Sequence, residues 1–220
     1  IPARDLAARL ASCGLVCNHI NVPTGDPKLG ETGFAALPGK QAAFRESLDR
    51  ALDYAVAVGA RTIHCMSGFP PPEQPGQARE TFLDNMAHGG ARAKAAGVTL
   101  VIEPLNARDR PGYFVTRSDE VVELLRLVGH DHVKLLFDFY HIQISEGDLV
   151  RRLEAHWPWI GHVQIASVPE RNEPDLGEFS HVRLLDELSR RSWRGFVGAE
   201  YTPRAGTLEG LGWAKPWLGR

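Results

Sequence analysis

Four successive apolar runs close on polar side chains. Glu103 ends "LVIE", Asp138 ends "LLFD", Gln164 sits in "HVQ", and Glu200 ends "GAE". The intervals are 35, 26 and 36 residues, each about one strand plus a crossover helix. Three negative charges packed together need a counter-charge. A set of carboxylate and amide oxygens suits Mg²⁺ or Mn²⁺ better than softer metals. Paired carboxylates can also pass a proton as general acid and base. A lone acid at a strand end is commonly a helix N-cap or a rim ion pair; four strand ends in succession point instead to a shared pocket that holds a divalent metal.

Other groups join them by position. His141 follows Asp138 by three residues in "DFYHIQ" and is placed to face the pocket. His64 lies within "TIHCM", where a satisfied core histidine is the plainer reading and a substrate contact the functional one. His162 precedes Gln164 by two, so both point to one side of the sheet. Arg171, in the loop after Gln164, could grip a carboxylate through two of its guanidinium nitrogens, or simply be a solvated loop arginine.

These residues need a scaffold that brings strand ends together. Helical stretches ending at Gly14, Gly59, Gly97, Gly129, Gly161 and Gly195 each precede a β-rich run. Glycine is favoured just past a helix because it enters the left-handed region without a Cβ clash. Such alternation predicts a parallel sheet with crossover helices. Strands are expected near residues 15–20, 61–66, 98–103, 133–138, 161–166 and 195–200. Their runs are continuously apolar, as expected of strands covered by helices. In a parallel barrel the strand C-termini share one rim, where barrel enzymes keep their active sites. A doubly wound open sheet is disfavoured because no GxGxxG follows a strand.

A (β/α)8 barrel needs eight strands in about 250 residues. The chain has 220 and opens on "IPARDLAARLASCG", which reads as the middle of a helix. The expectation is therefore one TIM (β/α)8 barrel domain over residues 1–220, with the first one to two βα units missing. A barrel so opened would expose two unpaired edges.

Composition is 43% hydrophobic and 24% charged, ordinary for a globular chain. A net charge of −2 provides no field that would draw it to nucleic acid or anionic lipid. No run is long and apolar enough for a membrane span. Three cysteines, Cys13, Cys17 and Cys65, read as free thiols of a reducing cytosol, so a cytoplasmic location is expected. The long loop at residues 21–40 is the kind that commonly carries function.

The stretches "IEPLN", "FDFYHIQISEGDL", "IGHVQIASVPERNEPDLGE", "GFVGAEYTPRAGTLEGLGW" and "PTGDPKLGETGFAALPG" together resemble hydroxypyruvate isomerase. Its relatives include 2-oxo-tetronate isomerases and ketose 3-epimerases. The resemblance implies a barrel with a divalent metal on Glu103, Asp138, Gln164 and Glu200, and Glu103 and Glu200 as the proton-transfer pair. It implies a small 2-oxo acid or sugar-like substrate that His141 and Arg171 would face, with His64 a further candidate contact from its place in the strand, and it allows a homo-oligomer. The epimerases have histidine where this chain has Gln164. The family form has tryptophan where this chain has Pro27. Metal-dependent phosphodiester cleavage, known in related barrels, sits poorly with the charge balance and the few rim histidines.

Overall fold

The computed structural model describes residues 1–217 except 27 and 29; Pro27 therefore lies outside the described residues. Six strands form one sheet in sequence order, every neighbouring pair parallel. They are β1 (His19–Asn21), β2 (Thr62–His64), β3 (Thr99–Ile102), β4 (Val133–Asp138), β5 (Ile160–Ile165) and β6 (Val197–Ala199). The helices are α1 (Ala3–Ser12), α2 (Gln41–Val58), α3 (Pro75–Ala96), α4 (Ser118–Val128), α5 (Phe139–Ser145), α6 (Leu149–His156) and α7 (His181–Arg190). All six expected strands are present.

The glycine signals divide. Gly59, Gly97 and Gly129 cap α2, α3 and α4 in the left-handed conformation, with φ of 75°, 69° and 61°. Gly161 and Gly195 end no helix: α6 runs through Trp157 into a 3-10 turn, and α7 is capped by Arg191. Gly161 lies inside β5 for a different reason. Leu135 pairs with Ile160, but Leu136 pairs with His162, so Gly161 is the extra residue of a bulge. A Cβ there would lie 2.6 Å from Lys134 Cβ and 3.0 Å from Val101 Cγ1, too close for any larger residue. The bulge brings Asp138 opposite Gln164; without it Asp138 would face Val163.

Side chains alternate across each strand. Leu100, Ile102, Leu135, Phe137, Val163 and Ile165 are fully buried and join the main core with helix residues Phe44, Leu48, Phe82, Met86 and Leu125. The opposite parity faces the concave side. The sheet curls enough that His19 of β1 stacks on His162 of β5, with ring centroids 4.5 Å apart and planes 10° apart. His19 Nδ1 also lies 2.9 Å from Thr62 Oγ1. One layer toward the strand C-termini, the same parity presents Asn21, His64, Glu103, Asp138, Gln164 and Glu200. Every strand thus contributes one polar group to the same rim.

Candidate active site

The pocket at that rim is lined by Asn21, His64, Glu103, His141, Gln164, Arg171 and Glu200, with Met66, Leu105, Asp109 and Arg110 at its wall. Three of the four strand-end residues picked from sequence, Glu103, Gln164 and Glu200, line it, as do the two histidines and the arginine. Asp138 is buried just behind the lining, its Oδ2 3.6 Å from Arg171 Nη2 and 3.9 Å from His141 Nε2. His162 does not: it lies one layer deeper, stacked on His19.

Asp138 shows how one side chain serves two ends. It closes β4 and is the N-cap of α5, its Oδ1 accepting the Tyr140 backbone N–H at 2.9 Å. Its Oδ2 is buried without a hydrogen-bond partner. The same is true of Glu103 Oε1 and Gln164 Oε1. Three buried oxygens lacking donors on one rim are a costly arrangement. Burial, then the neighbouring Asp138 and Glu200 charges, push the Glu103 carboxyl well above its ordinary range. Burial also raises Asp138, to about 7, against the lowering pull of Arg171 and the Tyr140 amide. A hard divalent cation fits this donor set, because it would satisfy the three oxygens and neutralise the charges together. By proximity alone, Glu103, Asp138 and His141 could also form a metal group, with one donor atom each within 4.8 Å of the others.

Glu200 is placed differently. It follows edge strand β6, its side chain is 57% exposed, and Arg171 Nη2 holds its Oε2 at 3.2 Å. Arg171 also lies 3.6 Å from Asp138 Oδ2 and stacks over the Tyr140 ring at 4.9 Å. Its backbone is left-handed (φ 53°), pinned by hydrogen bonds to Ser167 and Thr202. An arginine held in that conformation between two anchors is a positioned side chain rather than a free surface one.

Burial favours the neutral form of His64 and His141, driving both down to about 3. His64 Nδ1 stands 3.6 Å from Glu103 Oε2, too long for a good hydrogen bond. His141 Nε2 stands 3.9 Å from both Glu103 Oε1 and Asp138 Oδ2.

Sequence reading missed the loop after β3. Asn106 donates its backbone N–H to His141 Nδ1 at 3.1 Å. Asp109 accepts from Tyr140 Oη at 2.6 Å, and Tyr140 Oη accepts from Arg108 at 2.9 Å. Arg110 reaches the pocket wall and has no ion pair among the described residues. The signal was available in "IEPLNARDRPG": four polar side chains crowd directly behind a strand-end glutamate.

Known proteins place this arrangement. The family model for the xylose isomerase-like TIM barrel matches residues 1–217. A 2-oxo-tetronate isomerase from Cupriavidus necator is 46% identical over 219 residues, 99% of this chain and 84% of that protein. A hydroxypyruvate isomerase from Escherichia coli K12 is 34% identical, covering 97% of this chain and 83% of its own length. A crystal structure described as an AP endonuclease of family 2 from Brucella melitensis superposes with a TM-score of 0.96 at 40% identity, over 99% of this chain and 84% of that one. With the sheet order, the rim and these likenesses in agreement, the chain belongs to the xylose isomerase-like TIM barrel family and is an enzyme of the isomerase type.

Proposed function

We propose that the protein interconverts a short 2-oxo acid bearing a hydroxyl on carbon 3 with its 3-oxo isomer. Hydroxypyruvate and 2-hydroxy-3-oxopropanoate (tartronate semialdehyde) are the smallest such pair. The observation that carries this reading is the pairing of Glu103 and Glu200 on one small pocket, beside three buried oxygens without donors. A cavity of about 100 Å³ suits a three- or four-carbon acid rather than a nucleotide.

One glutamate takes the proton from carbon 3, next to the ketone, leaving an enediolate across carbons 2 and 3. The proton of the carbon-3 hydroxyl passes to the oxygen on carbon 2. The other glutamate returns a proton to carbon 2, so substrate and product are isomers with no atom gained or lost. Glu103, buried and with a raised affinity for protons, is the stronger base of its kind once ionised. Glu103, Asp138, Gln164 and Glu200 would hold Mg²⁺ or Mn²⁺, which when bound supplies Lewis-acid stabilisation of the oxyanion on carbon 2. Arg171 holds Glu200 in place. Arg110, a pocket-wall cation with no ion-pair partner among the described residues, is positioned to receive the substrate carboxylate, which favours an oxo acid over a neutral ketose.

A second reading, a four-carbon 2-oxo acid as preferred substrate, is favoured by the 46% identical relative named 2-oxo-tetronate isomerase. The test is a coupled assay on hydroxypyruvate, 2-oxo-tetronate and free ketoses, with and without chelator. Turnover of an oxo acid that chelator stops and Mg²⁺ or Mn²⁺ restores supports the proposal. Turnover confined to neutral ketoses, or cleavage of abasic duplex DNA instead, would overturn it.

A further inference from the structure

The loop behind β3 decides what His141 is able to do. Asn106 is fully buried, and the orientation of its amide is settled by its neighbours. Its Oδ1 accepts the Asp109 backbone N–H at 2.9 Å, so the other atom is the NH2 group. One amide hydrogen goes to Asp109 Oδ2 at 3.1 Å; the other faces His141 Nδ1 at 2.7 Å. The Asn106 backbone N–H also points at Nδ1, at 3.1 Å. Asp109 is itself fixed, accepting from Tyr140 Oη at 2.6 Å and from Arg108 Nε at 3.2 Å.

Two N–H donors therefore converge on one ring nitrogen. A nitrogen that accepts from both carries no hydrogen, and a neutral ring then carries its hydrogen on the other nitrogen. That Nε2 lies 3.9 Å from both Glu103 Oε1 and Asp138 Oδ2. At 3.9 Å it bonds to neither, and because His141 lines the pocket its hydrogen is left for a pocket ligand.

We infer that Asn106 is a positioning residue that fixes His141 in the Nε2–H tautomer, so that His141 offers the pocket a hydrogen-bond donor and no lone pair for a metal. His141 thereby leaves the metal group that proximity to Glu103 and Asp138 would suggest, and the cation relies on the oxygen ligands. The consequence for turnover rests on the isomerase reading; the tautomer does not, and the two can fail separately.

The primary test is nitrogen NMR on protein carrying ¹⁵N histidine and asparagine. His141 is expected to show a protonated Nε2, a bare Nδ1, and a through-hydrogen-bond coupling between Nδ1 and the Asn106 backbone nitrogen. The resonance is identified by that coupling, or by its loss in His141→Gln. Nε2 is expected to stay protonated when Zn²⁺ alone is added. A protonated Nδ1 in the free protein, or loss of the Nε2 hydrogen on Zn²⁺ binding, overturns the inference.

Kinetics give the second readout. Asn106→Asp replaces the amide donor by an acceptor in nearly the same volume. It is expected to lower kcat about tenfold or more, with KM changed by less than about threefold. In a His141→Gln background, where no tautomer exists, the same substitution is expected to have little effect. An equal loss in both backgrounds would show that Asn106 acts on structure and not through His141.

Discussion

The Asp138→Asn substitution isolates the electrostatic cost of the rim. Asparagine retains Oδ1 as acceptor for the Tyr140 amide and is itself a good N-cap, so α5 keeps its start while a buried charge is removed. Burial pushes the Asp138 carboxyl up from 3.8 to about 7. Below about pH 4 it is protonated in folded and unfolded chains alike, and the charge costs nothing. Between about 4 and 7 the unfolded chain releases this proton while the fold retains it, so stability falls as pH rises. Above about 7 the full cost, about 4 kcal/mol, is present. Urea unfolding in EDTA at pH 4, 6 and 8 is the assay. The variant is expected to match wild type at pH 4 and exceed it by up to about 4 kcal/mol at pH 8. With Mg²⁺ or Mn²⁺ present the order should reverse, because the wild type gains the stabilisation of a bound ligand. A variant less stable than wild type at pH 8 in EDTA would refute the claim that burying the Asp138 charge is costly.

Glu103→Gln and Glu200→Gln should each lower turnover by about 10³-fold with an unchanged circular dichroism spectrum; near-normal activity in either removes it from the proton-transfer pair. Arg110→Leu should raise KM for a 2-oxo acid about tenfold and leave kcat within about twofold, and an unmoved KM in steady-state kinetics would cancel its assignment to the carboxylate. Phe137→Ala, at a position with 0% exposure, should cost about 3–5 kcal/mol in urea unfolding; a cost below about 1 kcal/mol would mean that the helix-facing layer repacks freely.

Strand order and the rim were legible because they follow from period and punctuation. The run "VTLVI" reads as a buried parallel strand, and Gly59, Gly97 and Gly129 mark helix ends through a conformation that only glycine enters cheaply. Gly161 misled because the same residue type serves close approach as readily as a helix end, and sequence alone does not say which. The helix α5 was hidden because "FYHIQIS" is β-rich by composition; Asp138 starts it by capping the Tyr140 amide. The commonplace reading of an acid at a strand end, a helix cap, is realised at Asp138 together with a free second oxygen. The crowding of polar residues behind Glu103 marked the loop of Asn106 and Arg110, but not the roles of the two side chains. Their importance lies in which atom meets which, and the spacing of loop residues does not encode that.

The extra residue at Gly161 gives the rim an indirect vulnerability. The partners of Asp138 are set at the opposite end of β5 from where the chemistry occurs, by one glycine wedged against Lys134 and Val101. A substitution at position 164 leaves this alignment alone, because the bulge lies at Gly161. Deleting the extra residue would shift the register by one step and set Val163 opposite Asp138, and a side chain forced in there would collide with Lys134 and Val101. An engineer seeking new selectivity in this pocket is therefore free to edit its mouth, and bound to leave untouched a glycine that is no part of its lining.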